Sequence, residues 1–263
     1  MQIWKAHYID QFHDTDIEIR NIGCEVRWDR LSFTLDGIDF VGSGIGDFEL
    51  AEEDVYPVAK DKFHIINIGG DSFQGIVTPN CYELERYALD VEIPVKVVRV
   101  SDHQELEGIL FVSFEYREHT PTELELRYFE DKEKEYHDDA VVHRFELRVD
   151  EKIFTGTKRT LDFEEALLNI SKLIAPEYYM KCCFTCQYSD YSPYGNDSFG
   201  TMLCYKKQKE NYLKVHNKRE YFHYLTNDYE VRQETDLCME YDIRMKCEGY
   251  RGFVTGILDI ELP

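Results

Sequence analysis

Long apolar runs are missing from this sequence: nothing approaches the ~18 consecutive apolar residues of a membrane-spanning helix. The opening, MQIWKAHYIDQFHDTD, lacks the apolar core of a secretory leader and turns acidic within about ten residues. Both absences predict a soluble, cytoplasmic chain. Basic residues are scarce, 30 Lys and Arg against 52 Asp and Glu, for a net charge of −22. A polyanion repels nucleic-acid backbones and anionic bilayers, so neither is expected as a partner. Catalytic signatures are also absent. There is no Walker motif, no G-x-S-x-G and no H-E-x-x-H. Gly42-Ser43-Gly44-Ile45-Gly46 lacks the dinucleotide-loop spacing and a following helix, and reads as a glycine-rich hairpin or bulge. Asp14-Thr15-Asp16-Ile17-Glu18 alternates acids but lacks the glycine and distal glutamate of a calcium loop. No low-complexity linker and no internal repeat break the chain.

What is present is a foldable composition, 43% hydrophobic and 14% aromatic in 263 residues, enough for a sizeable core. Period-two alternation dominates the first 155 residues. Leu110, Val112, Phe114 and Tyr116 point one way and Ser113, Glu115 and Arg117 the other; Leu124–Tyr128 and Phe145–Val149 repeat the pattern. Further strands are expected at Cys24–Trp28, Leu31–Leu35, Ile38–Val41, His64–Ile68 and Val91–Val100, with turns at Asp36-Gly37 and Gly69-Gly70. Strands with one wet face favour antiparallel pairing. The charged run from Phe129 to Ala140 reads as a loop or hairpin tip.

One helix is clear. Asp162 caps it, Phe163, Ala166, Leu167, Ile170, Leu173 and Ile174 form its apolar stripe, and Pro176 stops it. A second, short helix is expected within Lys207–Val215, and a closing strand at Tyr250–Leu262. The predicted fold is therefore mainly β, α+β overall. An antiparallel, sandwich-like acidic part (1–160) packs with one amphipathic helix and a Cys-rich α+β part (161–263), with a soft boundary between them. Residues 1–160 hold 35 acidic and 18 basic residues; 161–263 hold 17 and 12. The acidic field thus belongs mostly to the β part.

Six of eight cysteines crowd the last third: Cys182, Cys183, Cys186, Cys204, Cys238 and Cys247. In a reducing compartment, clustered thiols point to metal or to reduced sulfur before disulfides. Cys183-Phe184-Thr185-Cys186 is a C-x-x-C turn able to give two sulfurs to one zinc ion, with Cys204 and Cys238 as the other two ligands. The second C-x-x-C of a zinc ribbon is absent, and Cys182, Cys247, His216 and His223 are spare donors. Three readings stand: structural zinc, buried reduced thiols, or a redox pair. The aromatic loop that follows provides Tyr188, Asp190, Tyr191 and Tyr194 as candidate partner-binding residues, since tyrosines bring rigid amphipathic area to interfaces. The alternative is that they cover the cysteines.

The runs KCCFTCQYSDYSPYGNDSFGTMLCY, QETDLCMEYDIR and GYRG, within residues 181–252, resemble an uncharacterised bacterial family of unknown function. The resemblance implies that Cys183, Cys186, Cys204 and Cys238 form one set, and it implies no activity. Lys206 to Arg219 is the one basic island, expected to pair with the acidic N-terminal part or to stay in solvent. The functional expectation is a non-catalytic binding protein for a basic protein partner, of which an immunity protein neutralising a cationic toxin is one form. An enzyme assembled from scattered residues and a structural protein are the alternatives.

Overall fold

Strict alternation builds the longest elements. In the strand Tyr87–Arg99 (β10), buried Tyr87, Leu89, Val91, Ile93, Val95 and Val97 interleave with half-buried polar and small residues, as a sheet with one packed face requires. The computed structural model describes residues 2–22, 30–68, 72–73, 76–77, 79–118, 138–156, 163–192 and 199–244. The expected elements at Cys24–Trp28, Leu124–Tyr128 and Tyr250–Leu262, the turn at Gly69-Gly70 and the cap Asp162 lie outside them.

The fold is mainly antiparallel β. Gln2–Ile9 (β1), Asp14–Asn21 (β2), Leu31–Leu35 (β3), Ile38–Gly42 (β4) and Glu49–Leu50 (β5) precede Ile65–Asn67 (β6). A small separate hairpin, Ser72–Phe73 (β7) with Ile76–Val77 (β8), follows. Next come Tyr82–Leu84 (β9), β10, Glu105–Glu118 (β11), Asp138–Val149 (β12), Lys152–Thr155 (β13) and Tyr178–Met180 (β14). Twelve strands make one sheet in the order β13-β12-β11-β10-β1-β2-β3-β4-β5-β9-β6, with β14 also on β10. The layered β arrangement comes from this one continuous sheet curling into a half-barrel.

Two hairpins show how the turns are made. Asp36 and Gly37 both take positive φ, the two-residue turn that suits the twist of paired strands, so Leu35 pairs with Ile38. Asp150 and Glu151 do the same between β12 and β13 without a glycine.

The inner face is sealed by the helix Phe163–Ile174 (α2; α1 is the short turn Tyr56–Ala59). Phe163, Ala166, Leu167, Ile170 and Ile174 are buried as expected, but Leu173 is 43% exposed. It lies at the edge of the stripe, beyond the reach of the sheet. Phe163 meets Phe114, Phe145 and Phe199. Burial of Leu167 and Ile170 contributes about 1.5–3 kcal/mol each. One core cluster runs from Trp4 to Met202, and β14 hydrogen-bonds to β10, so packing crosses residue 160.

Beyond α2, Ser189–Asp190 (β15), Met202–Cys204 (β16) and Glu230–Arg232 (β17) form a three-stranded sheet beside two short helices, Lys209–Tyr212 (α3) and Lys218–Tyr224 (α4). Three lysines of the basic island pair locally: Lys206 with Glu230, Lys207 with Asp228 and Lys209 with Glu240. Its acidic partners are the nearest in the fold, which a charge count along the chain does not reveal.

Candidate functional site

The 3-10 turn Cys183–Thr185 closes the C-x-x-C, with the Cys186 amide donating to the Cys183 carbonyl at 3.1 Å. Strand β15 then pairs Ser189 with Cys204, and the Cys183 amide donates to Asp236 O at 2.8 Å, drawing in the chain that carries Cys238. The fold therefore brings Cys182, Cys183, Cys186, Cys204 and Cys238 within electrostatic range of one another. Burial pushes the Cys182 thiol up to about 12 and the Cys204 thiol to about 11, and raises Cys183 and Cys186 as well. Protonated thiols are poor nucleophiles, which is the wrong poise for redox exchange. Against burial, the backbone amides of Tyr188 and Asp242 near Cys186, and that of Lys206 near Cys204, oppose the rise. Among the described residues, no group of three or more His, Cys, Asp or Glu is set closely enough to hold a metal ion. His216 and His223 are exposed, and Cys24 and Cys247 lie outside the described residues.

The aromatic loop serves the interior more than the surface. Asp190 is 1% exposed and accepts hydrogen bonds from Tyr212 Oη at 2.8 Å and from Arg244 Nη1 at 3.4 Å. Burial raises its carboxyl, while the Arg244 guanidinium opposes that shift. Tyr191 is fully buried and donates to Glu234 Oε1 at 2.9 Å. Neither side chain offers surface to a partner. Tyr188 is half-buried, under the Lys209 ammonium at 4.8 Å and hydrogen-bonded to Asp242. Tyr194 lies outside the described residues.

A buried polar junction joins this region to the large sheet. Gln233 accepts from Asn21 Nδ2 at 2.8 Å and donates to Ser43 O at 3.3 Å; Glu234 Oε2 accepts the Gly200 amide at 2.7 Å. The glycine loop after β4 is part of it. A Cβ on Gly44 would stand 2.1 Å from Phe199 O, so only glycine permits the approach. Asp47 ties the loop to itself, accepting from Ser43 and, at 2.6 Å, from the Gly44 amide.

A feature that no local pattern announces lies on the outer face of the sheet. An open trough of about 560 Å³ crosses β2, β1, β10 and β11, lined by Lys5, His7, Asp16, Glu18, Asp90, Glu92 and Phe111. The pairing explains it. Lys5 faces Glu18 on one side and Glu92 on the other, and His7 faces Asp16 and Asp90. Both nitrogens of His7 are engaged, Nδ1 by Asp16 at 2.8 Å and Nε2 by Asp14 at 2.9 Å. The Asp16 hydrogen bond leads in raising its pKa. With a carboxylate at each nitrogen, the protonated imidazole is the form these contacts favour. The Glu18 and Asp90 carboxylates make no hydrogen bond or ion pair among the described residues. The signal was in the sequence: Asp14, Asp16 and Glu18 alternate because they are one face of a strand.

A model described as a family of unknown function, DUF6304, matches residues 2–189. The match takes in the large sheet, α2 and the C-x-x-C turn, and ends before Cys204 and Cys238. No curated protein and no solved structure matches the chain. No helix among the described residues is long and apolar enough to cross a membrane.

Proposed function

The chain belongs to the family of unknown function DUF6304, which brings no activity with it, and we propose from the geometry that it is a non-catalytic binding protein for a basic protein partner. The observation that carries this reading is the outer sheet face, where four carboxylates, Glu18 and Asp90 unpaired among the described residues, line an open trough in a chain of net charge −22. Such a field speeds encounter with a cation by factors of about 10 to 10³ and suppresses acidic competitors. An immunity-type protein neutralising a cationic toxin is the narrower form, acting in the cytoplasm. Co-expression with a basic toxin encoded beside its gene tests it, with unrelieved toxicity counting against it. The general reading is tested by titrating a ten-residue oligo-arginine peptide at low ionic strength. One saturable site per chain is expected, and no binding overturns it.

A second component concerns the cysteines. Four thiols near one another, two of them beside backbone amides that favour thiolate, support a structural zinc held by Cys183, Cys186, Cys204 and Cys238. The ion would have to draw the sulfurs closer by side-chain rotation. Elemental analysis of purified protein is expected to give one zinc per chain, with a chelator lowering the melting temperature. Absence of zinc, or a melt that a chelator leaves unchanged, leaves these residues as buried thiols.

A further inference from the structure

Beside the acidic trough runs a row of apolar side chains that a wet sheet face does not need. Ile3 lies two residues before Lys5 and Pro94 two after Glu92, both on the outer side just beyond Lys5–Glu92, where the pairing of β1 with β10 ends. Pro94 pairs with Ile109, Ile109 with Arg148, and Arg148 with Ile153. Ile3 is 46% and Ile153 63% exposed, and Ile109 and Pro94 are half-buried. Single apolar residues on a surface are ordinary, but four on one face, on β1, β10, β11 and β13 with Arg148 of β12 between the last two, are more than chance scatter needs. One strand step away, Glu18, Lys5, Glu92 and Phe111 follow in register, then Asp16, His7 and Asp90.

Phe111 anchors the border between the two rows. The guanidinium groups of Arg144 and Arg148 sit over its ring at 5.3 and 4.8 Å. Both arginines are committed to Glu146, and Arg148 also reaches Glu92 at 3.3 Å. The arginines are thus committed at one end of the trough; along the rest of it Lys5 and His7 stand among four carboxylates, Asp16, Glu18, Asp90 and Glu92, of which Glu18 and Asp90 make no hydrogen bond or ion pair among the described residues.

We infer that this outer face of β2, β1, β10, β11, β12 and β13 is the docking surface for a basic polypeptide segment that carries apolar residues, its cations over Glu18, Asp90 and Asp16 and its apolar side chains along Ile3, Pro94 and Ile109. The inference rests on the reading of the protein as a binder of basic partners and names the face and the partner's chemistry. Charge complementarity selects the occupant. A second copy of this acidic chain would set carboxylates against carboxylates, and a purely polar polycation would leave the apolar row wet.

Three probes test it: a ten-residue peptide of alternating Arg and Leu, its Arg/Ser counterpart of equal charge, and spermine. The Arg/Leu peptide is expected to bind about tenfold more tightly than the Arg/Ser peptide. The Asp90→Lys, Glu92→Lys double variant is expected to weaken it about tenfold or more, while reversing Glu53 and Asp54, exposed beyond β5, changes affinity less than twofold. Should the double variant fail to fold by circular dichroism, Glu18→Gln with Asp16→Asn serves in its place. If trough and control variants lose affinity equally, binding is diffuse and the docking surface is wrong, though the broader reading survives. Equal affinity for the Arg/Leu and Arg/Ser peptides, or for spermine, overturns the apolar part of the partner's chemistry. If no basic probe binds at low salt, the broader reading fails with it.

Discussion

Glu234 is the residue whose environment most clearly exceeds its sequence. It lies fully buried, with Tyr191 Oη and the Gly200 amide donating to its two oxygens. Burial raises its pKa to about 7, opposed by those hydrogen bonds and by the charge of Arg30. Because the folded value exceeds the unfolded one, the folded chain holds this proton more tightly. The associated stability is complete below pH ~4.5 and is lost as pH rises through 7, roughly 3 kcal/mol in all. Asp47, Asp190 and Asp236, also raised by burial, act in the same direction. Carboxyls held low by cations, such as Glu230 at about 2 beside Lys206 and Arg232 despite its burial, act only at more acid pH. Urea denaturation is therefore expected to give lower stability at pH 8 than at pH 5, and Glu234→Gln is expected to remove much of that slope. An unchanged slope in the variant would assign the effect elsewhere.

At the scale of elements, the hairpin between β12 and β13 carries a testable cost. Asp150 is repaid for its left-handed backbone: its carboxylate accepts from Arg99 Nη2 at 2.7 Å and from Tyr178 Oη at 3.1 Å. Glu151, at φ +60°, is exposed and gains nothing comparable. Glycine adopts this conformation without a steric penalty. Glu151→Gly is expected to stabilise the chain by up to about 1 kcal/mol, read as a shift in urea midpoint at constant slope. A loss of stability would contradict it.

The same hairpin shows why some elements were legible and others were not. Asp36-Gly37 announces its turn by the one residue that needs no excuse for positive φ, and β3 and β4 follow where alternation predicts. Asp150-Glu151 carries no such mark, so β13 was not read. Phe163 to Ile174 was legible because a helical stripe must repeat at its own period, wherever the sheet lies. β1 was passed over because its alternation, Trp4, Ala6 and Tyr8 inward against Lys5 and His7 outward, was read only for a leader. β2 was weighed as a calcium loop when its acids were simply every second residue of a strand. The nearness of the cysteines followed from their crowding in sequence, whereas the fate of Asp190 and Tyr191 depended on Arg244 and Glu234, more than 40 residues away. The trough was illegible because it draws on four strands whose order no local pattern encodes.

Across the whole molecule, charge and architecture divide the work. The large sheet keeps most of its apolar side chains on the inner face, against α2, and sets carboxylates beside an apolar row on its outer face. The C-terminal region pairs Lys206, Lys207 and Lys209 locally and fastens to the sheet through the Gln233–Glu234 junction and the Lys181–Glu105 pair. Part of the acidity is thus displayed on a paired sheet, by Asp16, Glu18, Asp90 and Glu92. The most direct test is the rate at which the chain associates with the Arg/Leu peptide as salt is raised. Debye screening shortens from about 30 Å at 0.01 M to about 3 Å at 1 M. An association rate that falls by tenfold or more over that range, with dissociation changing far less, is what the acidic sheet face predicts. A rate indifferent to salt, or no association at 0.01 M, would contradict it.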